Sequence, residues 1–152
     1  MYALLIVIMA LALFSALLYA GASNINLDNY IIKSNKGVVE SSAMTLATQY
    51  TAYENIKGYI LQEANWQTEL FSLNRYSPKS IDGTSWSYHN NTDGTYFCMN
   101  GIINPVNYKS FKLAELSADG MAFVNVACGS KTSLSYNGSF PAEMAITYWI
   151  RN

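Results

Sequence analysis

Few side chains in this chain have types and spacings that could do chemistry. His89 is the single histidine, set in a WSYHNN stretch beside a turn signal. With no second histidine near it, it reads as an ordinary exposed side chain. No H-x-x-x-H, no C-x-x-C and no Asp/Glu cluster offers a metal site, and no G-x-G-x-x-G or phosphate loop occurs. Catalytic, cofactor-binding and metal-ligating residues are therefore expected to be absent, and an enzyme is not the expected function. Cys98 and Cys128 are the only cysteines. They read as one disulfide in an oxidising compartment, or else as two buried free thiols. Asn90-Asn91-Thr92 and Asn137-Gly138-Ser139 are N-x-[ST] acceptor triplets, which carry weight only in a glycosylating source.

Charge narrows the partners. Nine Lys and Arg, spread from Lys33 to Arg151, are offset by ten acids for a net charge of −1. No basic patch forms, so nucleic-acid binding has no electrostatic support. Low charge together with 12 Tyr and many Asn, Ser and Thr implies a polar, weakly charged surface.

The element that must position everything else is residues 1–27, which hold no charged side chain; Asp28 is the first. About 20 apolar residues reach roughly 30 Å as a helix, the thickness of a bilayer's hydrocarbon core. A secretory signal peptide needs a positive flank before its apolar run, and the first basic residue is Lys33. That leaves a membrane anchor, or a helix that enters the membrane and later becomes the core of an assembly. Met1, Tyr2, Leu5, Ile6, Met9, Leu13, Phe14 and Leu17 would form that core. Gly21, Ser23, Asn24 and Asn26 then interrupt the apolar run and predict a helix break, because Gly is poor inside helices and Ser and Asn compete for backbone bonds.

Residues 28–152 are expected to form one globular head, large enough for a real core. Residues 29–37 read as mixed, with a weak spot at 35–37. Over 38–64, Val39, Ala43, Leu46, Tyr50, Tyr53, Ile56, Ile60 and Ala64 recur every three or four residues and predict an amphipathic helix. Glu54 and Lys57 are placed to pair on its wet side. Tyr50 and Tyr53 read as core residues with hydroxyls at the rim. Residues 65–152 supply the surface for that helix. Residues 65–94 read as a long irregular connection pinned by Trp66, Phe71, Trp86 and Tyr88, with its strongest turn signal at 90–94. Strands are expected at 96–99, 121–128, 132–136 and 144–150, a hairpin turn at Asn137-Gly138, and a short helix over 106–118. The expected class is α+β, a long N-terminal helix packed on an antiparallel sheet.

These features together resemble the type IV pilin family. The resemblance rests on the apolar N-terminal helix, its amphipathic continuation, the β-rich second half and the late cysteine pair. It implies a structural subunit of an extracellular pilus filament, inserted in the inner membrane before assembly and handled by pilus assembly machinery. Its partners would be copies of itself in a helical homopolymer, with a surface receptor as a further partner in adhesion, and its N-terminal amine would be methylated. The region bounded by Cys98 and Cys128 would match the family's disulfide-bounded region, and a helix inside it is similar to the type IVb branch. Leu5 departs from the pattern, since most members carry Glu at this position to neutralise a neighbouring subunit's N-terminal amine. That departure counts against a bacterial major subunit more than against a pilin. The alternative is a membrane-anchored extracytoplasmic binding domain that does not polymerise.

Overall fold

The structure, a computed structural model, describes residues 2–23, 26–74 and 77–151, with side chains over 7–17, 26–72 and 77–151. The chain divides into two compact units, Met1–Ile31 and Ile32–Asn152. In the first, a helix spans Tyr2–Ser23 (α1), 22 residues without an acid in its first turn or a base in its last. At 1.5 Å per residue it is about 33 Å long. The next helix, Leu27–Lys57 (α2), starts at a cap. Asn26 Oδ1 accepts the Asn29 N–H at 3.2 Å and the Asn26 carbonyl accepts the Tyr30 N–H at 3.2 Å. Asp28 in the first turn suits the positive end of the helix dipole.

Of the residues expected to break the helix, Gly21 and Ser23 are helical, Asn24 lies outside the described residues, and Asn26 stands ahead of α2 as its cap. The weak spot expected at 35–37 does not interrupt α2 either. Asn35 gives its side-chain N–H to Asn107 Oδ1 at 2.8 Å, and Lys36 pairs with Glu40 at 3.0 Å one turn on. These contacts outweigh the roughly 1 kcal/mol that Gly37 costs inside a helix. The helix ends earlier than predicted, at Lys57. Gly58 takes a left-handed φ of +71° and returns its N–H to the Glu54 carbonyl at 2.8 Å, a turn that glycine makes without strain.

In the second unit, strands at Thr84–Asn91 (β1), Gly94–Ile103 (β2), Ala122–Asn125 (β3) and Ala142–Arg151 (β4) form one antiparallel sheet in the order β1-β2-β4-β3. The region expected to be irregular is largely ordered. A 3-10 turn at Glu63–Asn65 leads into a helix at Trp66–Asn74 (α3), which buries Trp66 and Leu70 one turn apart, and β1 follows. The turn signal at 90–94 closes the β1–β2 hairpin. Gly101 of β2 faces the entry to β1, where an added Cβ would lie 2.0 Å from the Gly83 carbonyl oxygen.

Between β2 and β3, a helix at Pro105–Ser117 (α4) begins where predicted. Asn104 caps it by accepting the Asn107 N–H, and a proline opens its first turn. The expected strand at 132–136 does not form. Leu134 gives a single N–H to the Val124 carbonyl at 2.8 Å, and Asn137-Gly138 is a bend rather than a hairpin turn.

The core lies on the sheet face carrying Trp86, Tyr88, Phe97, Met99, Val124, Met144 and Ile146. Onto it α2 lays Val39, Ala43, Leu46, Tyr50 and Tyr53, and α4 lays Phe111 and Ala114. Ile56 and Ile60, expected on the same stripe, are exposed: Ile56 has turned off the face of Leu46, Tyr50 and Tyr53, and Ile60 lies beyond the helix end at Lys57. Tyr50 and Tyr53 are each 1% exposed. Their hydroxyls donate to Glu54 and Glu69 respectively. Glu54 does not pair with Lys57; its second oxygen meets Arg151 at 2.9 Å.

Candidate functional site

Three surfaces have the character of functional sites, and the first is α1. Every described side chain over 7–17 is exposed. Met9 is 64% exposed, Leu13 66%, Phe14 63% and Leu17 70%. Tyr2, Leu5 and Ile6 lie on the same helix, while Met1 lies outside the described residues. Ser15, one polar group on this helix, donates back to the Leu11 carbonyl at 2.9 Å and the Ala12 carbonyl at 3.0 Å. Counting only residues with described side chains, no helix is long and apolar enough to cross a membrane. The stretch 7–17 reaches about 16 Å, half of a hydrocarbon core. The α-helical backbone itself continues on both sides, from Tyr2 to Ser23.

The second surface is the outer face of the sheet. Cys98 and Cys128 are bonded, S–S 2.05 Å. Around them Tyr96, Ala145 and Trp149 form a second apolar cluster, with Phe123 packed against it. Tyr96 and Trp149 have ring centroids 4.6 Å apart. The segment after β3 folds back over these rings. Gly129 sits against the Tyr96 hydroxyl and gives its N–H to Thr147 Oγ1 at 3.0 Å; Ser130 accepts the Trp149 indole N–H at 3.2 Å. Lys131 lies 4.5 Å over the Trp149 ring. The outer face thus carries an apolar patch beside its polar positions, and the bridged segment covers that patch.

The third surface is a groove of about 550 Å³ between α2 and the end of α4, lined chiefly by Ala43, Met44, Ala47, Ala114, Ala118 and Met121. Tyr148 borders it, and its hydroxyl has no hydrogen-bond partner among the described residues. Burial pushes this phenol's pKa up, with the carboxylates of Glu40 and Glu115 adding to the shift. The groove contains no paired nucleophile and base. His89 is partly exposed, stacked on Tyr96 at 5.1 Å and within 3.1 Å of the Ser87 hydroxyl. Among the described residues no three His, Cys, Asp or Glu side chains converge on a common point.

One polar hub was not visible in the sequence. Glu115, near the end of α4, is buried and accepts the Val124 N–H at 2.6 Å, the Ser133 hydroxyl and the Lys112 ammonium. It caps the outer edge of β3, an edge that would otherwise present an unpaired N–H. Lys112 lies one turn before it on the same helix, but nothing in the sequence signalled Val124 or Ser133. No family model, no curated protein and no solved structure matches this chain.

Proposed function

We propose that this chain is a pilin-like structural subunit that polymerises through residues 1–27 into an extracellular filament. The observation that carries the reading is α1, a 22-residue helix without acidic or basic side chains, whose large apolar residues Val7, Ile8, Met9, Leu11, Leu13, Phe14 and Leu17 are 56–70% exposed. Covering those seven side chains is worth on the order of 10 kcal/mol per subunit. Lipid can supply that cover before assembly, and the same helices of neighbouring copies can supply it afterwards. The α+β unit, with a long helix over a four-stranded antiparallel sheet, is compatible with this architecture, and the Cys98–Cys128 bridge fits an exported domain. On this reading Leu5 leaves the Met1 amine of a neighbouring copy to be met by backbone carbonyls or hydroxyls rather than by a glutamate.

The test is electron microscopy of material sheared from the cell surface, alongside expression of a chain lacking residues 1–27. The reading expects filaments containing this protein, and a truncated chain that is a soluble folded monomer. Full-length protein found in membranes without any filament would replace it with the anchored binding domain. Full-length soluble monomer without detergent would remove both.

A further inference from the structure

We propose that Asn137 is an N-glycosylation site of the folded protein and that Asn90, the other acceptor triplet, is not. The two asparagines share the sequence requirement but not the geometry. Asn90 lies in β1 opposite Thr95, its backbone N–H bonded to Glu63 Oε1 at 2.6 Å and its side-chain oxygen accepting the Thr95 hydroxyl at 2.7 Å. Asn90 is exposed too, but a transferase would have to release these bonds before its amide could turn into an active site. Asn137 instead stands exposed in an irregular segment, with no side-chain hydrogen bond among the described residues. The bend beneath it is built to hold it outward. Tyr136 is packed on Tyr108 and Phe140, with ring centroids 6.2 and 5.2 Å away, and its hydroxyl donates to the Ser139 carbonyl at 3.1 Å. Gly138 passes so close over that ring that an added Cβ would lie 2.5 Å from the phenol carbon. The Tyr136 N–H is tied to the Tyr108 hydroxyl at 2.9 Å. A tyrosine-filled bend thus presents the Asn137 amide and leaves Ser139 exposed two residues on, the spacing an N-x-[ST] acceptor requires.

The co-reactant is a lipid-phosphate-linked sugar on the outer side of the membrane. The Asn137 amide nitrogen forms a bond to the anomeric carbon, the bond from that carbon to the phosphate oxygen breaks, the lipid phosphate leaves with the electron pair, and the amide gives up one proton. The assignment rests on the export half of the reading above, not on polymerisation.

The experiment is peptide mapping by mass spectrometry of the full chain from its native cells, compared with Asn137→Gln and Asn90→Gln variants. The expected result is a sugar mass on the Asn137 peptide only, lost in Asn137→Gln and unchanged in Asn90→Gln. An unmodified Asn137 overturns the proposal wherever the protein is found, and so does modification of Asn90, alone or with Asn137. Cell fractionation on the same samples judges export separately, so a cytoplasmic protein would count against the functional reading by its location.

Discussion

Replacing Glu115 by alanine isolates the contribution of one buried acceptor. The carboxylate is 8% exposed and accepts from the Val124 N–H, the Ser133 hydroxyl and the Lys112 ammonium. Ser133 and Lys112 reach the surface and can turn to water, but Val124 is 0% exposed and its N–H cannot. Stranding that N–H costs about 1–3 kcal/mol, and losing hydrogen bonds to a charged acceptor brings the total to about 3 kcal/mol. For a domain of this size that is a fall in melting temperature of about 10 °C. The measurement is thermal and urea unfolding of a chain starting at Asp28, with amide exchange at Val124 as the local readout. Glu115→Gln keeps the accepting oxygen and should lose about 1 kcal/mol or less. Equal losses in the two variants, or an alanine variant within about 0.5 kcal/mol of the parent, would refute the argument.

Reducing Cys98–Cys128, which stand 30 apart in sequence, should destabilise the same chain by about 3–4 kcal/mol on the chain-entropy estimate. A melting curve unchanged by reductant would contradict it. Gly101→Ala should cost at least about 3 kcal/mol, because the new methyl meets the Gly83 backbone rather than a movable side chain; a neutral result would mean β1 does not enter as described. Alkali should unfold the protein in a defined window. Burial raises the phenol pKa values of Tyr53, Tyr88 and Tyr148 in the folded state. Their neutral forms are favoured by folding, so stability is fully present below the unfolded value near 10 and declines as pH rises above it. Phenolate absorbance should therefore show part of the tyrosines ionising only as the fold is lost, and ionisation of every tyrosine in the native state would refute this.

What the sequence revealed depended on how locally each element is specified. The spacing of Val39, Ala43, Leu46, Tyr50 and Tyr53 was enough to find the packed face of α2, and the spacing of Tyr108, Phe111 and Leu116 marked α4, although Leu116 is exposed. The hairpin turn near Asn91–Gly94 was equally local. The misses were non-local. Asn35 looked like a helix breaker until paired with Asn107, 72 residues away. Trp66 and Leu70 signal only one turn of helix, and the serine, histidine and asparagines of β1 mask a strand whose buried side is just Trp86 and Tyr88. Residues 132–136 have strand-like composition, but Val124 offers them only one bond because its N–H is already held by Glu115. Of the candidate site, the apolar helix and the cysteine pair were legible in the sequence. The alanine- and methionine-lined groove was not, since it is made by two helices meeting.

The position of β4 has a consequence for how the domain is made. Although last in the chain, Ala142–Arg151 lies in the interior of the sheet, bonded to β2 on one side and β3 on the other. A polypeptide emerging N-terminus first can form the β1–β2 hairpin early, but β3 has no partner strand until Ala142–Arg151 appear. The sheet therefore closes as a completion step rather than growing strand by strand. A chain cut short before Ala142 would expose one edge of β2 and leave β3 unpaired, so β1, β2 and β3 join into one sheet only once β4 is present.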